Sequence, residues 1–129
     1  MSKFLKYILP VSVWAGIIYS LSATPNLNSG LAAFWDVFWR KLAHAGEFSI
    51  LTFLLFRAFR GYDYKFRSAL AISVFLSLGY AFLDEFHQLF VPMRMGKLFD
   101  VFIDILGIVF AAFVIIWIKF RKNRVGIDR

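Results

Sequence analysis

Lys41-x-x-His44-x-x-Glu47 sets an amine, an imidazole and a carboxylate three residues apart. Further along come Asp84-Glu85-x-x-Gln88, then Pro92-x-Arg94, then Asp100-x-x-x-Asp104-x-x-Gly107. These residue types offer three kinds of chemistry. Glu47, Asp84 or Glu85 can take a proton as a general base, while Lys41 and Arg94 can hold a phosphate. His44 and Glu47, on adjacent turns of a helix, suit a hydrogen bond or two metal ligands. A metal, if one is bound, would draw on His44, Glu47, Asp84 and Glu85, and its identity is left open. The candidate site is therefore Lys41, His44, Glu47, Asp84, Glu85, Gln88, Arg94, Asp100 and Asp104. No Gly-rich phosphate loop, Ser-His-Asp order or His-rich signature names a reaction or a cofactor.

Composition decides what kind of element carries these groups. The chain is 60% hydrophobic and 20% aromatic, with only 18% charged residues, and its mean hydropathy is +0.69. A soluble domain of this length is nearer half apolar and a quarter charged. Lipid can absorb this apolar surface and a water-soluble core cannot. The excess of Lys and Arg could suit nucleic acid. These residues stand instead at the ends of apolar runs, where headgroups lie, so the bilayer is the expected partner and nucleic acid is not. Cysteine is absent, which excludes disulfides, thiolate metal sites and acylated or prenylated anchors.

Four apolar runs of roughly 20 residues, the length that crosses a bilayer, can be drawn. They cover about 7–23, 41–59, 68–90 and 98–118. Backbone polar groups in lipid must be satisfied within the segment, so each run should be a helix. Pro10 is expected in the first turn of its helix, where a missing N–H costs little. The first run follows Lys3 and Lys6 like a signal peptide, but it is long for one and a poor cleavage site follows, so it reads as a retained helix. Between the first two runs, Thr24 to Gly30 is a breaker cluster. Residues 31–39, with Trp35 and Trp39, read as a short interfacial segment. The fold expected is all-α: a single domain over residues 1–129, an integral-membrane four-helix bundle with that segment between helices 1 and 2.

Charge gives the orientation. With both termini in the cytoplasm, eleven of the 15 Lys and Arg lie inside and four (Arg40, Lys41, Arg94 and Lys97) lie outside. The positive-inside rule thus favours cytoplasmic termini for a chain read as a multi-pass inner-membrane protein. Of eight acidic residues, Asp36, Glu47, Asp84, Glu85, Asp100 and Asp104 fall toward the outside. Five of these are within the spans, where an ionisable group costs several kcal/mol unless paired or hydrated.

Helical phase shows how these groups can meet. Lys41, His44 and Glu47 cover an arc of about 120°. Ser73, Ser77, Tyr80, Asp84 and Gln88 form one stripe, with Glu85 beside it. Asp100 and Asp104 share a face that Gly107 and Ala111 continue inward, and small residues there permit close helix contact. Ser73, Ser77 and Tyr80 are expected to hydrogen-bond between helices rather than to catalyse, and His87, about 60° from the Asp84 face, to line the cluster or lie at the interface. The 17 Phe read as lipid-facing and packing surface.

At these residues the chain resembles the VanZ-like family of bacterial membrane proteins. The resemblance rests on the three motifs above in this order, together with Tyr19-Ser-Leu-Ser-Ala-Thr-Pro25 after the first helix. It runs from about residue 19 to residue 107. At position 104 the family pattern suggests a polar residue, often Asn, where this chain has Asp. The family is named for a protein linked to resistance to teicoplanin, a glycopeptide acting on cell-wall precursors outside the membrane. The resemblance implies a role in the cell envelope and supplies no reaction.

Three function classes stay open. In the first two, an outward-facing polar site acts on, or binds or translocates, a lipid-linked cell-wall precursor or a phospholipid headgroup. In the third, a structural or regulatory protein uses its intramembrane ion pairs only to hold the bundle together: Lys41 snorkels to the boundary, and Asp84 and Glu85 are neutralised by Arg94 and Lys41.

Overall fold

A computed structural model of the chain describes residues 2–23, 33–90 and 98–125. The described residues are helical apart from short turns, and contain no strand. A π-helical turn, Phe4–Ile8, leads into α1 (Leu9–Ala23), and α2 (Ala33–Gly61), α3 (Phe66–Gln88) and α4 (Leu98–Val125) follow. All four helical segments contain a stretch long and apolar enough to cross a bilayer: Phe4–Leu21, Phe38–Gly61, Phe66–Gln88 and Asp100–Val125. The protein is an all-α, multi-pass membrane protein. The Thr24 to Gly30 breaker cluster and residues 91–97, with Pro92 and Arg94, lie outside the described residues.

Two local features depart from the sequence reading for physical reasons. The first helix starts at Phe4, more than a turn ahead of Pro10. The Leu9 N–H bonds to the Phe4 carbonyl, five residues back. Pro10 has no N–H, and in a regular helix its ring would meet the carbonyl four residues before it. A wider turn ahead of it avoids that clash, as π-bulges do elsewhere. The second departure concerns the segment before the second span. Residues 33–39 are continuous with α2, which is 29 residues long, about 43 Å at the usual rise. Its membrane-competent part begins at Phe38, and Trp35 and Trp39 are exposed at that boundary.

Burial is distributed as a lipid-facing protein requires. Phe75, Phe82, Phe86, Phe110, Phe113 and Trp117 are exposed, whereas Thr52, Ser73, Ser77, Asp84, Glu85, Gln88, Asp100 and Asp104 are buried. In water this arrangement would be inverted. The apolar core is compact, with Ile18, Phe48, Leu51, Ala81 and Ile108 at its centre.

Cross-helix bonds give the topology. Lys41 pairs with Asp100, His44 meets Asp104, and Ser49 Oγ donates to the Gly107 carbonyl at 2.6 Å. The offset between partners stays at 58 to 60 residues, so α2 and α4 run parallel in one register. Gly107 makes that register possible: a Cβ there would overlap the backbone of Ala45. Thr52 Oγ1 donates to Ser77 Oγ at 2.8 Å between α2 and α3, while Tyr80 Oη donates to the Ala15 carbonyl at 2.6 Å and anchors α1. Trp14 Nε1 donates to the Glu47 carbonyl at 2.9 Å. Tyr80 and Ser77 thus tie helices together as expected. Ser73 Oγ donates to carbonyls of its own helix, Ala69 and Leu70, which is the usual back-bond of a mid-helix serine.

Candidate functional site

The start of α2, the end of α3 and the start of α4 meet at one end of the bundle, here the carboxylate end. The opposite, basic end holds the N-terminus, the α2–α3 turn and the C-terminal turns of α4. At the carboxylate end the chain collects side chains that lipid alone would reject, and each helix contributes through its own periodicity.

On α2, Lys41 and His44 are one turn apart and both face α4. Lys41 Nζ forms an ion pair with Asp100 Oδ1. The pair is only partly shielded, with side-chain exposures of 27% for Lys41 and 12% for Asp100. Deeper by a turn, His44 Nδ1 lies 3.2 Å from Asp104 Oδ1. Asp104 has no exposed surface. On α3, Asp84, Glu85 and Gln88 are buried together, and Gln88 Nε2 donates to Asp84 Oδ2 at 3.1 Å. This i, i+4 bond orients the Asp84 carboxylate from within its own helix.

The three helices converge on one set of atoms. One ligand atom each from His44, Asp84 and Asp104 lies within 4.8 Å of the other two. Asp104 Oδ2 is buried and accepts no hydrogen bond among the described residues. Glu47 is half-buried one turn further along α2. His87 is half-buried with its ring stacked on Tyr19 at 4.6 Å between centroids, so it packs α3 against α1. Arg94 lies outside the described residues. Of the nine residues singled out from the sequence, Lys41, His44, Asp84, Gln88, Asp100 and Asp104 are joined by direct contacts or shared geometry, and Glu85 is buried beside them.

The sequence placed possible metal ligands at His44, Glu47, Asp84 and Glu85. The structure groups His44 and Asp84 with Asp104 instead. Spacing within one helix links His44 to Glu47, but it says nothing about which residue of another helix stands opposite. The sequence reading also passed over Ser49 and Thr52. Thr52 is 11 residues, about three turns, beyond Lys41 and so shares its line on α2. A hydroxyl on the same line as the charged residues was the available signal.

The arrangement can move a proton between an imidazole and carboxylates, hold an anion on a boundary lysine, or hold a cation among three convergent ligands. It defines a class: a four-helix membrane protein with a buried polar cluster, built by three helices, at one membrane boundary. A family model described as VanZ/LLP1 matches residues 2–119, and the chain belongs to that family. No curated protein and no solved structure matches it.

Proposed function

We propose that the carboxylate end faces outward from a bacterial inner membrane, with both termini cytoplasmic. There the cluster binds or acts on a lipid-linked or phosphate-bearing envelope component, a setting that accords with glycopeptide (teicoplanin) resistance. The orientation rests on the eleven-to-four division of Lys and Arg. The observation that carries the functional reading is the convergence of ionisable groups from three helices at a single boundary, those of α3 and α4 buried and His44 of α2 half-buried. Intramembrane ionisable groups are costly, and such clusters mark sites. Lys41, at the mouth of the cluster and still partly exposed, is placed to meet a phosphate oxygen. The carboxylates and His44 behind it are placed to exchange protons. Binding and catalysis draw on the same groups.

One observation favours the scaffold reading. Lys41–Asp100 and His44–Asp104 join the same two helices in one register, as a pair of staples would. A double variant separates the two readings. Lys41→Met with Asp100→Leu removes both charges together and should fold. Native mass spectrometry of the detergent-purified protein with a polyprenyl phosphate, and with the corresponding alcohol, gives the readout. The wild type should retain the phosphate and not the alcohol, and the folded double variant should retain neither. Equal retention of phosphate and alcohol by the wild type overturns the site reading. The chain has no cysteine of its own, so single cysteines report orientation directly. Asn26→Cys and Arg94→Cys should label from outside intact cells, and Lys65→Cys should not. Labelling of Lys65→Cys reverses the topology.

A further inference from the structure

We propose that His44, Asp84 and Asp104 form a binding site for one divalent transition-metal ion of the zinc type, with a coordination position left open. This goes beyond the headgroup reading, since the ion would bind whether or not a phosphate follows it.

Three observations carry the site. The first is convergence: three ligand types from three different helices bring one atom each within 4.8 Å. Two ligands about 2.0 Å from a tetrahedral ion stand about 3.3 Å apart, and His44 Nδ1 and Asp104 Oδ1 are already at 3.2 Å. The second is the unsatisfied acceptor. Asp104 is fully buried and its Oδ2 accepts no hydrogen bond among the described residues. A buried carboxylate oxygen left in that state is costly, and a divalent ion on the same carboxylate offsets the cost by its charge. The third is support from behind. Gln88 Nε2 donates to Asp84 Oδ2 at 3.1 Å, the kind of bond that orients a ligating carboxylate in metal sites.

The donor set narrows the ion. Calcium, magnesium and manganese favour oxygen ligands, whereas an imidazole nitrogen suits zinc, copper, iron and nickel. A neutral imidazole with two carboxylates carries two negative charges, which one divalent ion cancels in a low-dielectric setting. Three protein ligands with a fourth position free is the pattern of zinc sites that do chemistry, whereas structural zinc sites are closed by four.

Cobalt is the probe, because its visible spectrum reports coordination number and replaces that of spectroscopically silent zinc. The full chain in lipid nanodiscs, stripped with a chelator, is titrated with Co²⁺ alone. One Co²⁺ per chain should bind, with the intense visible absorption of a four- or five-coordinate ion, and equimolar Zn²⁺ should displace it. Asp104→Asn, shown to be folded by its helical circular dichroism, should lose stoichiometric binding. Asp63→Asn should keep it, because Asp63 stands in the α2–α3 turn at the opposite end of the bundle. His44→Cys provides a gain of signal that does not depend on any loss. It introduces the chain's only thiolate, which should add a sulfur-to-cobalt charge-transfer band. No stoichiometric cobalt in the folded wild type overturns the site. So does full retention in Asp104→Asn, or a folded His44→Cys that binds cobalt without the charge-transfer band. Phosphate-lipid retention is read separately, so loss of the headgroup reading leaves the metal result standing, and the reverse.

Discussion

The two ends of this bundle use the same charged residues in opposite ways. At the basic end the pairs are in the open: Lys3 Nζ lies 3.3 Å from Asp63 Oδ2, and their side chains are 55% and 87% exposed. Its arginines reach backbone carbonyls and rings, with Arg57 Nη1 donating to the Lys6 carbonyl at 2.8 Å and its guanidinium lying over the Tyr7 ring. Lys119 and Arg121 sit over Phe66 and Trp117. Such aromatic contacts suit cations at a headgroup boundary. At the carboxylate end the charges are drawn between helices, where Lys41 meets Asp100, His44 meets Asp104 and the Gln88 amide donates to Asp84. Water and headgroups can stand in for any partner lost at the first end. At the second, Lys41 keeps some exposure, but Asp84 and Asp104 behind it are buried in protein. A charge is therefore cheap to change at one end of the molecule and expensive at the other.

The largest effect should come from a residue with no charge. Gly107→Ala adds a single methyl, yet that methyl would overlap the Ala45 backbone. Backbone cannot swing aside as a flexible side chain does, so the cost should exceed the roughly 1–3 kcal/mol of ordinary overpacking. The whole α2–α4 register depends on that approach, including Lys41–Asp100 and His44–Asp104. Denaturant titration in detergent should show Gly107→Ala largely unfolded under conditions where the wild type is intact. Wild-type stability would mean that α2 and α4 are not held at this distance, and the carboxylate end would lose its rigid frame.

Next in size is the Lys41–Asp100 pair. Breaking a fully buried pair costs about 3–5 kcal/mol. Lys41 keeps a quarter of its side chain exposed and can snorkel toward headgroups, so Asp100→Asn should cost about 1–3 kcal/mol. Lys41→Met with Asp100→Leu should recover most of it, because no charge is then stranded. The same titration measures both. A single variant as stable as wild type would place this pair in the same class as those of the basic end.

Much of this contrast was legible in the sequence. Length and hydropathy gave all four spans, because bilayer thickness allows few other lengths, although α2 begins and α4 ends about two turns beyond the runs drawn. Helical phase put Ser73, Ser77, Tyr80, Asp84 and Gln88 in one stripe of α3 with Glu85 beside it, and the structure buries all of these except Tyr80, which is half-buried. The same phase aligned Asp100, Asp104, Gly107 and Ala111, and the requirement for a small residue at Gly107 is met by the close approach of Ala45. What periodicity could not supply is relations between helices. Lys41 meets Asp100, and His44 meets Asp104 rather than only its own-helix neighbour Glu47, because α2 and α4 run parallel at a fixed offset. That offset depends on where the connecting segments let each helix start, which helical phase does not encode. The π-turn before Pro10 escaped for a related reason: proline announces a break in the pattern without saying which side will adjust.

The smallest expected effect lies at the basic end, and it sharpens the comparison by separating charge from backbone. Lys3 and Asp63 are both largely solvated, so screening leaves their attraction worth roughly 0–1 kcal/mol. Asp63 also occupies a left-handed backbone conformation, with φ at 70°, in the turn between α2 and α3. Asn shares with Asp the ability to hold that conformation, and a β-branched residue does not. Asp63→Asn should therefore change stability by less than about 0.5 kcal/mol, since it removes only the screened charge. Asp63→Val removes the same charge and adds backbone strain, so it should cost roughly 1–2 kcal/mol more. The two variants lose an identical ion pair, and any gap between them belongs to the turn. If Asp63→Asn alone matched the loss in Asp100→Asn, the Lys3–Asp63 pair would be structural, and the contrast between the two ends would fail.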